Sequence, residues 1–321
     1  MSTIRVSTQE TVTLLEAVFQ RAGLNPTDAR VVIDALLDAE LTNRRGHGLS
    51  RVPGIAARAR QAGSENIELV RDEYGVAALD CHGALGYLAA YRAAQMAREK
   101  LTLLPAVSVA CRGTSHAGAI GYYARLVADD GHCALTMAHC YPMVVPHGGH
   151  AAVYGTNPIA FACPGPDHVL LADLSPAATT YGAIMNARHT GGMLPEGVAL
   201  DESGQPARDP ERALDGSILP VGGAKGSALA FLVQAVSGVL SGAAGIPKQG
   251  ENYGFVLLGY RLDAFAGEAS VRAEMARLAE AVHAAGAQCP GDRSYRHRCQ
   301  AMEQGIAVET DLWEAIRCLA E

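Results

Sequence analysis

Positive charge is neither abundant nor concentrated in this chain: 26 Lys and Arg residues stand scattered against 33 Asp and Glu, for a net charge of -7. No basic stripe answers the charge spacing of a phosphate backbone, which argues against nucleic acid as a partner. The eight cysteines form no C-x-x-C pair, and most stand in apolar surroundings, as small buried hydrophobes do in a reducing compartment. The stretch up to Gln9 is polar and lacks the apolar segment of a secretory signal, and the most apolar helical stretch, Ser227 to Leu240, is too short to span a bilayer. A cytoplasmic protein without membrane attachment is expected. There is no internal repeat and no low-complexity linker.

Familiar catalytic signatures are missing too. No G-x-G-x-x-G joins a strand to a helix, and Gly118-Ala119-Ile120-Gly121 is only a fragment of one, so a standard Rossmann domain is disfavoured. In Gly222-Gly223-Ala224-Lys225-Gly226-Ser227 the lysine precedes the glycine, unlike a P-loop. The absence of a G-x-S-x-G elbow argues against a serine hydrolase. No His, Cys or carboxylate set has ligand spacing: His147 and His150 are the nearest pair and lack helical context, so no metal is expected.

What remains is a chain of 321 residues, 49% hydrophobic, which can bury one large core or two modest ones. Apolar residues recur at helical spacing over Gln9 to Ala22 and Ala29 to Leu41, and Val52 to Ala62 reads as a third helix. From about Glu73 strands alternate with helices: strands at Val76 to Leu79, Ala106 to Ala110, Cys133 to Ala138, Ile159 to Cys163 and Val169 to Asp173, helices at Leu88 to Lys100 and Gly121 to Asp130. Gly191 to Gly223 reads mostly as loop, Ser227 to Leu240 as a buried helix, and Asp263 to Ala285 and Asp311 to Ala320 as terminal helices. The fold class is α/β, a mixed sheet covered by helices. A helical lobe over 1–72, joined by the C-terminal helices of about 264–321, flanks a sheet-containing domain over 73–263.

The stretch Thr42 to Pro53 is the candidate centre. One imidazole, His47, stands between two glycines, and Arg51 follows four residues later, on the same face if the chain is helical. A guanidinium fork can hold a carboxylate while an imidazole serves the neighbouring oxygen; the same residues also suit an ordinary polar turn with solvated arginines. His116 follows directly on a strand's carboxyl end, where α/β sites commonly lie. Pro146-His147-Gly148-Gly149 and Gly155-Thr156-Asn157-Pro158 are tight turns able to line a cleft. Asp173 ends an apolar strand, so its carboxyl should be shifted up or pair with a cation such as His47. Gly222 to Ser227 opens an apolar helix, where free amides and Lys225 favour an anion or simply make a glycine-rich helix start.

In combination and in order, these segments resemble the malate/L-lactate dehydrogenase family, whose nicotinamide fold is not a Rossmann fold. The markers are His47-Gly48-Leu49-Ser50-Arg51-Val52-Pro53, His116 with Gly121-Tyr122-Tyr123, Pro146 to Gly149, Gly155 to Ala160, Leu194 to Gly197, Asp209-Pro210, Leu219 to Gly226 and Pro290 to Ser294. The resemblance implies a homodimeric NAD(P)H-dependent reductase of a small 2-oxo acid, reversible as a 2-hydroxyacid dehydrogenase, with NADPH favoured over NADH. It places the proton donor at His47 or His116, with Asp173 orienting His47 or the nicotinamide, and the substrate carboxylate at Arg51 near Thr156 and Asn157. Cofactor contacts would fall at His147, Leu171, Asp173, Leu174, Ser175, Lys225, Gly226, Gly291, Asp292 and Arg293. The chain departs from the family pattern at three places: Gly46 replaces a serine, Ser175-Pro176-Ala177 replaces Ala-Thr-Ser, and His139 stands where asparagine is common. Reduction of a cyclic imino acid is the alternative, because Gly48 to Gly54 and Pro146 to Gly149 look especially like the piperideine-carboxylate branch. A ligand-binding protein that has lost turnover is the alternative from another class.

Overall fold

The structure, a computed structural model, describes residues 2–321. In chain order its elements are β1 (Thr3–Val6), α1 (Thr8–Arg21), α2 (Pro26–Leu41), α3 (Val52–Ala56), β2 (Glu68–Glu73), β3 (Val76–Asp80), α4 (Gly86–Leu101), β4 (Ala106–Thr114), α5 (Gly121–Asp129) and β5 (His132–Ala138). Then follow β6 (Ile159–Pro164), β7 (Val169–Leu174), α6 (Tyr181–Thr190), β8 (Ala199–Leu200), α7 (Pro210–Leu214), β9 (Ser217–Ile218), α8 (Ala224–Val233), β10 (Tyr253–Arg261), α9 (Glu268–Ala284), α10 (Asp292–Gln304), β11 (Ile306–Glu309) and α11 (Thr310–Ala320).

Local chemistry sets the first two helices. Ser7 and Glu10 form a capping box on α1, and Asn25 caps α2 with Pro26 in the first turn. Leu15, Val18 and Phe19 on α1 and Val32, Ile33 and Leu36 on α2 are buried. The expected third helix is shorter than its pattern: α3 ends at Ala56, and the chain continues through 3-10 turns.

Seven strands make the main sheet in the order β2-β3-β4-β10-β5-β6-β7, with β3 and β4 parallel and every other neighbouring pair antiparallel. Its middle strand, β10, is missing from the sequence reading. Helix α4 packs on β4 and β10, and α5 on β5 and β6. Fully buried Ala89, Ala90, Ala93, Ala94 and Ala97 let α4 lie close to the strands. Strand β2 runs across the boundary expected at residue 72, with Glu68 to Glu73 paired to β3 in the sheet. Helix α11 packs on α1 and α10 on α2, while β1 pairs with β11. One continuous apolar core runs from these helices into the sheet.

Gly191 to Gly223 is mostly loop, as expected, with only β8, α7 and β9 inside it, and Leu194, Ala199, Ala207, Ala213 and Ile218 join Val144 and Ile184 in a small core of their own. The helix expected to be buried, α8 with its π-helical continuation Gln234–Leu240, is buried on one side only, through Gly226, Ala230, Val233, Gln234, Ser237 and Gly238. Phe231, Val239 and Leu240 are 62%, 62% and 79% exposed. Among the described residues no helix is long and apolar enough to cross a membrane.

Candidate active site

Helix α2 delivers the chain into two successive 3-10 turns, Arg45–His47 and Leu49–Arg51. An α-helix is interrupted here by Gly46 and Gly48, so His47 and Arg51 do not share a regular helical face as the spacing suggests. They converge all the same: Arg51 Nε donates to the Gly46 carbonyl at 2.7 Å, folding the guanidinium back over the loop, and both side chains line one cavity. The loop is braced from below by Glu40, whose carboxylate accepts the Leu49 amide at 2.7 Å. A Cβ on Gly48 would collide with that carboxylate, so glycine is needed there for close approach. Burial pushes the Glu40 carboxyl up, and the Leu49 amide works against it.

His47 stacks on His116, with ring centroids 5.5 Å apart and planes 9° from parallel. His116 follows β4, and its Nδ1 accepts the Gly118 amide at 3.0 Å, which leaves the proton of the neutral ring on Nε2. Burial lowers the His47 pKa to about 4, helped by Arg51 and then Arg44. His116 is also held well below the ordinary histidine range, by burial first and then by His47 and Arg51. Both rings are therefore neutral at pH 7. His47 Nδ1 and the Tyr87 hydroxyl are buried without a hydrogen-bond partner.

The other expected site residues divide. Thr156 and Ser175 line the same cavity as His47, Arg51 and His116. The Ser175 hydroxyl is tied to the Thr156 carbonyl and accepts the Ala177 amide at 3.1 Å, next to the donor lost at Pro176. Asn157 does not reach the cavity. It is fully buried at φ 42°, and its amide nitrogen donates to the Ala230 carbonyl at 2.9 Å and to Gln234 Oε1 at 2.6 Å, locking its turn to α8. Asp173 is likewise not paired with His47. Its carboxylate takes Arg44 as ion partner and accepts the Gly121 amide at 3.2 Å. Burial pushes its carboxyl up, against the pull of Arg44.

The residues expected at the cofactor lie on four separate segments, at 147, 171–175, 225–226 and 291–293, and among them only Ser175 borders the His47 cavity. The His147 amide donates to Ser227 Oγ at 3.0 Å, at the start of α8. Lys225 is exposed there, and Gly226 is buried where a Cβ would strike Val221. Leu171 NH donates to the Pro290 carbonyl at 3.0 Å, and Leu174 is 49% exposed. A Cβ on Gly291, at φ 103°, would press on the Leu171 amide. The Asp292 carboxylate turns inward to His283 and the Cys289 amide, which takes it out of reach of a ligand on the surface, while Arg293 is exposed.

Sequence reasoning missed the aromatic wall of the cavity, Tyr141, Tyr253 and Phe255. Two of the three ride on the overlooked strand β10, whose run Phe255-Val256-Leu257-Leu258 was its available signal. His139 also borders the cavity, but its Nδ1 accepts the Gly254 amide at 3.0 Å and its Nε2 meets the Ala244 carbonyl at 2.8 Å, so it joins loops. The cavity encloses about 1000 Å³ including its open mouth. That volume and the unpartnered His47 Nδ1 fit a small acid lying against a planar nicotinamide ring.

A model of the malate/L-lactate dehydrogenase family matches residues 6–317. The malate/(S)-sulfolactate dehydrogenase of Methanothermus fervidus is 29% identical, with 98% of this chain and 97% of that protein covered. The Δ1-pyrroline-2-carboxylate/Δ1-piperideine-2-carboxylate reductase of Pseudomonas putida is 31% identical over 95% of this chain and 94% of its own. The crystal structure of Δ1-piperideine-2-carboxylate reductase from Pseudomonas syringae pv. tomato superposes with a TM-score of 0.89 at 26% identity, covering 98% of this chain and 99% of that one. Sheet, cavity and relatives agree on one class, the nicotinamide-dependent oxidoreductases of small carboxylic acids. Within that class the chain belongs to the malate/L-lactate dehydrogenase family.

Proposed function

We propose that this chain reduces C2 of a small monoanionic 2-oxo acid, with NADPH as the reductant. The observation that carries the reading is the single guanidinium: among the described residues lining the cavity, Arg51 is the one permanently charged side chain, and no carboxylate accompanies it. One bidentate clamp suits one carboxylate. Bound nicotinamide supplies the hydride. Arg51 then fixes the acid so that its C2 faces the ring, and the stacked imidazoles exclude water from one side. His47 delivers the proton to the developing alkoxide, and His116, held as the Nε2 tautomer, positions it. Support for NADPH comes from a relative in Chromohalobacter salexigens, 36% identical over 74% of this chain, whose name specifies NADP(+). Lys225, at the open start of α8, would meet an anionic part of the cofactor, with His147 beside it.

The aromatic wall favours a second reading, a cyclic 2-imino acid such as Δ1-piperideine-2-carboxylate. A ring of that size packs on Tyr141, Tyr253 and Phe255, and a protonated imine demands less of a proton donor. NADPH oxidation with pyruvate, oxaloacetate, sulfopyruvate and Δ1-piperideine-2-carboxylate decides between them. The expected order puts either substrate with one anionic group far above the two substrates that carry two; preference for oxaloacetate or sulfopyruvate would sink the single-clamp argument. Retained NADPH binding without oxidation on any of the four would make the protein a ligand binder. Arg51→Ala should raise KM by about two orders of magnitude, as lost charge-assisted bonds do. The exposed face of Phe231, Val239, Leu240 and Ile246 supports a homodimer, since an apolar patch of that kind marks a partner surface.

A further inference from the structure

A second constellation lies outside the cavity, where α9 turns back into α10. His283 stands in the last turn of α9, Cys289 precedes the Pro290-Gly291 turn, and Asp292 opens α10. One nitrogen of His283, Cys289 Sγ and a carboxylate oxygen of Asp292 all lie within 4.8 Å of one another. Asp292 Oδ2 meets His283 Nε2 at 2.8 Å and the Cys289 amide at 2.9 Å. The other oxygen, Oδ1, is buried without a hydrogen-bond partner in a residue only 5% exposed, and faces His168 Nε2 at 3.2 Å. That nitrogen is itself buried and unpartnered, on a ring held by stacking against Tyr295, 4.3 Å between centroids.

We propose that His168, His283, Cys289 and Asp292 form a zinc-class metal site that staples the α9–α10 turn to β7. Two imidazoles, a thiolate and a carboxylate are the donor types that borderline-soft divalent ions take, and the two anionic donors balance the charge of a dication. Asp292 Oδ1 and His168 Nε2 are buried with no hydrogen-bond partner and have only each other at 3.2 Å, an arrangement that a cation between the donors would satisfy. Tetrahedral zinc holds its donors roughly 3 to 4 Å apart, so His168, which of the other three touches only Asp292, has to swing in from outside their close triad, and His283, Cys289 and Asp292 have to close by about 1 Å. His283, with its side chain 51% exposed, can make that adjustment and gives the ion its way in. The sequence hides the site because its fourth donor arrives from the β6–β7 hairpin, far from the His283-x5-Cys289-x2-Asp292 segment.

The test uses the full chain, stripped with a chelator and titrated with zinc and with cobalt alone. One equivalent of zinc per chain at micromolar affinity or tighter is expected, with a rise in Tm, and the cobalt form should show a thiolate-to-metal charge-transfer band. Cys289→Ser should remove that band and weaken zinc binding by at least about tenfold, and His283→Ala should weaken it similarly, its exposed ring making it the variant safer to fold. Cys299→Ser, which changes an exposed thiol, should alter neither. Binding of less than one equivalent by the unaltered chain, or a charge-transfer band unchanged in Cys289→Ser, overturns the site and leaves a His–Asp–His hydrogen-bond network.

Discussion

In the proposed reaction His47 carries more of the chemistry than its place in a short polar turn suggests, because its neighbours decide its charge. With its pKa at about 4, the ring is neutral when folded and protonated when unfolded between that value and about 6.5. The unfolded chain binds the extra proton in that window, so stability is full above it and falls as pH drops through it. Melting at pH 7 and pH 5 should show a smaller acid loss in His47→Gln than in the unaltered chain. In catalysis the same shift makes the acid form scarce, so kcat/KM for reduction should fall about tenfold per pH unit above the pKa at saturating cofactor. A flat profile through neutrality would assign the proton to another group. Turnover of His47→Gln should be lower by roughly 10²- to 10⁴-fold. The flanking glycines make a contrasting pair. No atom lies within 4 Å of a Cβ built on Gly46, so Gly46→Ser should fold with unchanged Tm and restore a hydroxyl at the cavity, whereas Gly48→Ala drives a methyl into Glu40 and should cost about 1–3 kcal/mol by thermal or urea unfolding.

Helix, strand and loop meet at the Arg44–Asp173 pair, which ties the His47 turn to β7 and, through the Gly121 amide, to the start of α5. Arg44→Ala strands a buried carboxylate and should cost about 3–5 kcal/mol, while adding Asp173→Asn should recover a large part. If the double variant is no more stable than the single one, the pair is not what binds these elements. That pairing was not legible in the sequence: Asp173 shows as a carboxylate in need of a cation, but several cations were on offer and only packing chooses. Elements with a strong apolar stripe, such as α1, α2 and α5, were legible nearly to their ends. Helix α10 was not, because Asp-Arg-Ser-Tyr-Arg-His-Arg-Cys-Gln has no stripe to read, nor was β2, whose six residues are all exposed. His47, Arg51 and His116 were legible as a site because glycines and a strand end mark them. Asn157 misled: an amide in a tight turn looks like a ligand contact, and here it serves the backbone of α8.

At the scale of the whole molecule, the apolar side of α8 is the feature a single chain leaves unexplained. Composition reads it as core because large side chains dominate it, yet Gly226, Ala230, Val233 and Gly238 face inward while Phe231, Leu232, Val239 and Leu240 face out. Leu240→Asp should convert the proposed homodimer to a monomer in sedimentation velocity without loss of helix content. A dimer that survives this change and Phe231→Asp would move the interface elsewhere. The Pro290 turn has a different reach. Strand β7 is last in the sheet, and the Pro290 carbonyl takes its Leu171 amide. Were that turn to lift, Val169-Leu170-Leu171-Ala172 would offer bare backbone to any passing strand, and molecules would join side by side into aggregates. The turn thus works as a stopper, and loosening it should make the protein precipitate on warming rather than unfold reversibly.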